Sequence, residues 1–170
     1  DFRSSEKTFS LLTQAIGRSG PGDTQGTAIV QTISPDSETI WLSAKQDYDA
    51  FYATEILARK LLVYPPYCDL AVIGFAGVVK ERVQTAANLF FEHLKSELCG
   101  EYQDLKAIIL GPSACSVPKV SNKYRFRLIL KCKNNHRLRE MLMQLLQASM
   151  QDFNFKNISV FADINPETIL

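Results

Sequence analysis

Two adjacent prolines, inside Tyr64-Pro65-Pro66-Tyr67, constrain this chain more than any other feature. Proline fixes φ, lacks an N–H and pushes the residue before it into extended backbone. No helix or strand ladder runs through such a pair, so a domain boundary is expected here. Charge changes at the same point. Residues 1–60 hold six basic and eight acidic side chains, whereas residues 61–170 hold thirteen and ten.

Beyond the prolines the apolar pattern switches regularly between periods. Cys68–Phe75 is an apolar run of strand length. Glu81–Leu98 repeats Val83, Ala86, Ala87, Phe90, Leu94 and Leu98 at helical spacing. Ala107–Leu110 reads as a strand stopped by Gly111-Pro112, and Tyr124–Lys133 as another. Asn134 or Asn135 caps a helix through Met150, with Leu138, Met141, Leu142, Leu145 and Leu146 facing inward. Asn157–Ala162 is the last strand. The order β-α-β-β-α-β predicts an α+β, ferredoxin-like domain with an antiparallel sheet and both helices on one face. Before the prolines the sequence predicts a helix over Glu6–Ile16, a turn at Gly17, Gly20, Pro21 and Gly22, and a strand over Thr27–Ile33. A helix starting at Ser34-Pro35 and another over Tyr48–Leu62 complete this part.

Several classes are disfavoured. The stretch Leu70–Val79 is broken by Gly74 and Gly77 and is too short to span a bilayer. Cys68, Cys99, Cys115 and Cys132 lie 31, 16 and 17 residues apart, without a CxxC, so neither a zinc cluster nor a redox pair is expected. Scattered free thiols and the lack of a charged-then-apolar leader fit a cytoplasmic protein. A chain beginning at Asp1 without Met reads as processed or truncated. There is no GxxxxGK[ST] phosphate loop.

Net charge is only +1, yet positive charge is concentrated. Between Asp104 and Glu140 there is no acidic residue, and positions 119–139 hold eight of the 19 Lys and Arg. These are Lys119, Lys123, Arg125, Arg127, Lys131, Lys133, Arg137 and Arg139. In the strand 125–133, Phe126, Leu128, Leu130 and Cys132 point one way, and Arg125, Arg127, Ile129, Lys131 and Lys133 the other. With helices on one sheet face, the second set would face water. A cationic stripe of this kind releases counterions on meeting phosphates, so nucleic acid is the first partner to consider, bound without sequence choice. The bland reading is an edge strand whose charges block aggregation. Tyr124 shares the parity of the inward set, so core packing is expected there rather than base stacking. His93 and His136 have no metal-ligand partner at useful spacing and read as surface residues. Asp163 and Glu167 have no base or metal arranged beside them. Two further classes remain: a protein-interaction module whose basic patch receives an acidic peptide, and a small ferredoxin-like enzyme. The last lacks a nucleophile–base pair or cofactor loop.

Gln14-Ala15-Ile16-Gly17-Arg18-Ser19-Gly20-Pro21 resembles motif VI, QxxGRxGR, of superfamily two helicases. Asp1-Phe2-Arg3-Ser4-Ser5-Glu6-Lys7-Thr8-Phe9 resembles the DxRxxERxF lead-in of the bacterial replication-restart helicases, the primosomal protein N′ family. Gly26–Thr32, Asp47-Tyr48, Phe51-Tyr52, Glu55, Arg59, Tyr64–Tyr67, Leu110–Pro112, Pro118-Lys119, Tyr124-Arg125 and Asp163–Pro166 match that family in order. The resemblance implies three parts. Residues 1–34 would be the tail of the second RecA-like motor lobe, 35–65 connecting helices, and 66–170 a DNA-binding C-terminal domain similar in fold to ribosomal protein S-ten. It further implies a parent that unwinds forked or single-stranded DNA in the 3′ to 5′ direction with ATP and magnesium, carries zinc upstream, and assembles the primosome with partner proteins. Gln14 and Arg18 would face ATP across the motor cleft. Pro21 replaces the motif's second arginine, which puts ATP hydrolysis in doubt. Arg137 and Arg139 would contact the acidic tail of single-strand-binding protein.

Overall fold

The computed structural model describes residues 1–18 and 27–169. They form two units, Asp1–Leu62 and Val63–Leu170.

The first unit is helical: α1 spans Ser4–Arg18, α2 Glu38–Lys45 and α3 Tyr48–Leu62. Its small core is aromatic. Phe9 of α1 is buried and stacks on Phe51 of α3, with ring centroids 4.2 Å apart. Arg59 on α3 reaches both Glu6 and Glu55 at 2.9 Å. Burial opposes the guanidinium's charge, but the hydrogen bonds it donates to these two carboxylates prevail and raise its pKa.

Three local expectations fail here. Gly17 lies within α1 rather than in a turn; the rest of that turn, with Gly20, Pro21 and Gly22, falls outside the described residues. Thr27–Ile33 forms no strand, and Ile29 and Ile33 are exposed. Apolar alternation makes a strand only where another backbone completes the ladder, and no strand among the described residues pairs with this segment. The second helix starts at Glu38 and not at Ser34-Pro35, because Ser37 N donates to Ser34 O at 3.1 Å and closes a turn first.

The second unit is α+β. Its elements are β1 Asp69–Gly77, α4 Lys80–Cys99, β2 Ile108–Val120, β3 Lys123–Cys132, α5 His136–Gln151 and β4 Ser159–Ile164. The four strands form one antiparallel sheet in the order β2-β3-β1-β4. This arrangement is compatible with a ferredoxin-like fold. Strand parity decides which side chains meet the helices. Ala71, Ile73 and Phe75 of β1 and Phe126, Leu128 and Leu130 of β3 pack against the apolar stripes of α4 and α5. Phe75 meets Phe90 edge-on at 5.5 Å. Asn135 caps α5, its side chain accepting from Leu138 N at 2.9 Å.

Two expectations about strands are corrected. Gly111-Pro112 does not end β2; the strand passes through it with a register shift between Leu110 and Ser113. A bulge absorbs the residues that cannot join the ladder, and Gly111 supplies the left-handed φ of 100° that an L side chain resists. Nor is β3 an edge strand. It is hydrogen-bonded to β2 on one side and β1 on the other, so its charges do not guard an edge.

Candidate functional site

The sheet face opposite α4 and α5 carries the second parity set. On β3 this is Arg125, Arg127, Ile129 and Lys131. On β1 the paired residues are Ala76, Gly74, Val72 and Leu70. On β4 they are Ser159, Phe161 and Asp163, opposite Ala76, Gly74 and Val72. One transverse row across three strands therefore reads Arg127, Gly74, Phe161.

Gly74 shapes this row. A methyl group on its α-carbon would fall inside the Phe161 ring. The absent side chain lets the phenyl group lie down over β1 while remaining 49% exposed. A cavity of about 200 Å³ opens beside it, lined by Gly74, Arg125, Arg127, Phe161, Asp163 and Pro166, among others. Arg127 Nε and Nη1 are buried and have no hydrogen-bond partner. A guanidinium stays charged at any ordinary pH. Leaving such donors buried and unmatched costs roughly 1–3 kcal/mol. Neither Arg125 nor Arg127 forms an ion pair among the described residues.

The remaining predicted cations scatter. Lys131 departs from the solvent-facing expectation. It is buried, with Nζ 3.8 Å from the centroid of Tyr64, because the Tyr64–Tyr67 segment folds over that end of β3. Lys123 is exposed at the start of β3, and Lys133 just beyond its end. Lys119 on β2 sits 4.9 Å over the Tyr124 ring, so Tyr124 holds a cation rather than a purely apolar place. Arg137 is occupied within the domain. Its Nε donates to Asp104 at 3.1 Å, its Nη2 to Glu101 O at 2.8 Å, and it lies over Tyr102. The Asp104 hydrogen bond raises its pKa. Arg139 is exposed, with Nε 3.4 Å from Asn135 O. Gln14 and Arg18 are exposed on α1, four residues apart and hence on one helix face.

His93 and His136 are exposed. No group of three or more His, Cys, Asp or Glu side chains among the described residues is placed to hold a metal ion. The cysteines are unpaired, and burial pushes the Cys132 thiol up to about 11, which keeps it unreactive. No described helix is long and apolar enough to cross a membrane. The residue that sequence reasoning missed is Phe161. Its signal was Gly74, a glycine within an apolar strand, which marks close approach of another group.

Together these features define an α+β module with one helix-covered sheet face and one face carrying unpaired arginines beside an exposed aromatic ring. Residues 60–167 match the family of the primosomal protein N C-terminal domain, and the chain belongs to that family. It is 35% identical over 166 residues to the replication restart protein PriA of Bacillus subtilis (strain 168), covering 98% of this chain and 20% of that protein. With the PriA of Chlamydia muridarum it shares 32% identity over 168 residues, covering 99% of this chain and 21% of that one. With the PriA of Thermotoga maritima the figure is 36% over 147 residues, covering 86% and 18%. The chain spans about a fifth of the length of these curated relatives.

Proposed function

We propose that this chain is the DNA-binding and partner-binding C-terminal region of a 3′ to 5′ replication-restart helicase. In this reading the second unit is the ferredoxin-like, S-ten-like DNA-binding domain, and residues 1–34 belong to a RecA-like motor lobe. The family match and the relatives' shared name support the setting. One observation carries the DNA assignment: Arg125 and Arg127 stand on the sheet face away from the helices, Arg127 with two buried, unmatched donors and neither with an ion-pair partner among the described residues. A phosphate at Arg125 meets a guanidinium without an ion-pair partner among the described residues, and such contacts give affinity without sequence choice. Lys119, Lys123 and Lys133 extend the surface, while Lys131 is engaged with Tyr64.

ATP and magnesium serve the intact motor. Gln14 and Arg18 would approach the nucleotide from this side, Arg18 stabilising charge on the transferred phosphoryl group. In this reading zinc is bound upstream of this chain, in the intact parent. Arg137 and Arg139 form the proposed contact for the acidic tail of single-strand-binding protein. Because Asp104 already neutralises Arg137, Arg139 supplies the larger share.

Charge reversal tests the assignment. R125E/R127E is expected to abolish single-stranded DNA binding by the full 170-residue chain at low salt. Retained binding would return the patch to another partner, such as an acidic peptide.

A further inference from the structure

We propose that the groove beside Phe161 is a nucleobase subsite. A base of single-stranded DNA lies on the Phe161 ring, Arg127 donates to an acceptor on its edge, and Asp163 accepts from one of its N–H groups. This deepens the DNA-binding assignment and rests on it.

Three observations converge. The first is a platform. Gly74 lets the Phe161 ring lie across the sheet, half exposed and lining the cavity of about 200 Å³. Stacking on a phenyl face suits every base, because each has a π face. The second is a fixed donor. Arg127 stands on the strand two places over, about 9–10 Å away across the sheet at ordinary strand spacing. The ring of Phe161 reaches back over Gly74 into that interval. Arg127's unmatched Nε and Nη1 call for an acceptor. The third is a fixed acceptor. Asp163 follows Phe161 by two residues on the same strand face and lines the same cavity, without an ion pair among the described residues.

That last residue decides between occupants. A bare phosphate or an acidic peptide in the groove would meet Asp163 as a like charge. A base presents acceptors and N–H donors around one flat ring, so it can use Arg127 and Asp163 at once while covering Phe161. Arg125, in the same groove, is left for the adjoining phosphate.

The test compares two labelled single strands of equal length, one intact and one built from abasic sites, by fluorescence anisotropy with the full 170-residue chain. The intact strand is expected to bind roughly 5- to 140-fold more tightly, the range for one stacked base. F161A and F161L should lower its affinity to the abasic level, leaving abasic binding and the salt slope as they were, and F161W should restore the difference. G74A, which displaces the ring, should behave like F161A. Circular dichroism and thermal melting confirm that each variant is folded; Phe161 lies on the face away from the core. Equal binding of both strands by the parent chain, or an unaffected F161A, overturns the subsite while leaving the phosphate surface in place. Failure of both strands to bind overturns the DNA assignment itself. Capture of an acidic peptide that the R127E variant loses would give the groove to a protein partner and also overturn the subsite.

Discussion

The carboxylate of Asp69 at the start of β1 accepts from the side-chain amide of Asn165, just past β4, at 2.9 Å. Asn165 in turn accepts from Leu70 N at 3.0 Å and donates its own N–H to Leu70 O at 2.7 Å. The second Asp69 oxygen takes the backbone N–H of Asn134 at 2.8 Å. One acid thus joins the ends of β1 and β4 to the loop that leads into α5. Asn165 has a left-handed φ of 54°, a conformation asparagine tolerates better than most residues.

These hydrogen bonds, the Asn134 N–H first and the Asn165 amide second, hold the Asp69 carboxyl below its ordinary 3.8. A group with a lowered folded-state pKa contributes stability above its unfolded value and loses it as pH falls through the folded one. D69N is therefore expected to cost about 1–2 kcal/mol at neutral pH, with the gap to the parent chain closing in acid, as pH falls through the lowered folded-state pKa. Urea denaturation at neutral and at acid pH measures it. A gap that persists in acid would show that packing, not the carboxylate, is at stake.

Gly111 ties β2 to the backbone of Arg127. A β-carbon at Gly111 would lie 2.9 Å from Arg127 O, on a residue whose φ is 100°. G111A is expected to destabilise the domain by at least about 1 kcal/mol, through strain and loss of that close approach. A thermal melt at or above the parent's Tm would contradict this reading of the bulge.

Much of the second unit was legible because its periods are long and clean. The apolar stripes of α4 and α5 and the alternation on β3 are local; in the first unit the same holds for α3, which matches its expected span, Tyr48–Leu62. What was not legible is nonlocal. Nothing within β3 says that it lies between β2 and β1. Gly111-Pro112 reads as a stop because a bulge and a strand end use the same residues. Tyr64 covers Lys131 from 67 positions away in sequence, so parity alone exposed a cation that the fold buries. Phe161 looked like one more strand apolar until the pairing set it against Gly74.

The Tyr64–Lys131 contact gives its own expectation. Y64L leaves a buried ammonium without its ring and should lower stability by about 1–2 kcal/mol. DNA affinity at low salt should hold or rise, since Lys131 is less covered. A fall in affinity with unchanged stability would place Tyr64 on the DNA surface instead.

The most direct test of the cationic sheet face is the salt dependence of single-stranded DNA binding. Each phosphate contact contributes about −0.7 to the slope of log K against log salt concentration. Removing both charges in R125Q/R127Q should therefore flatten the slope by at least about 0.7, the share of the Arg125 phosphate contact, and weaken binding at low salt. A double variant with the parent's slope and affinity would contradict the account.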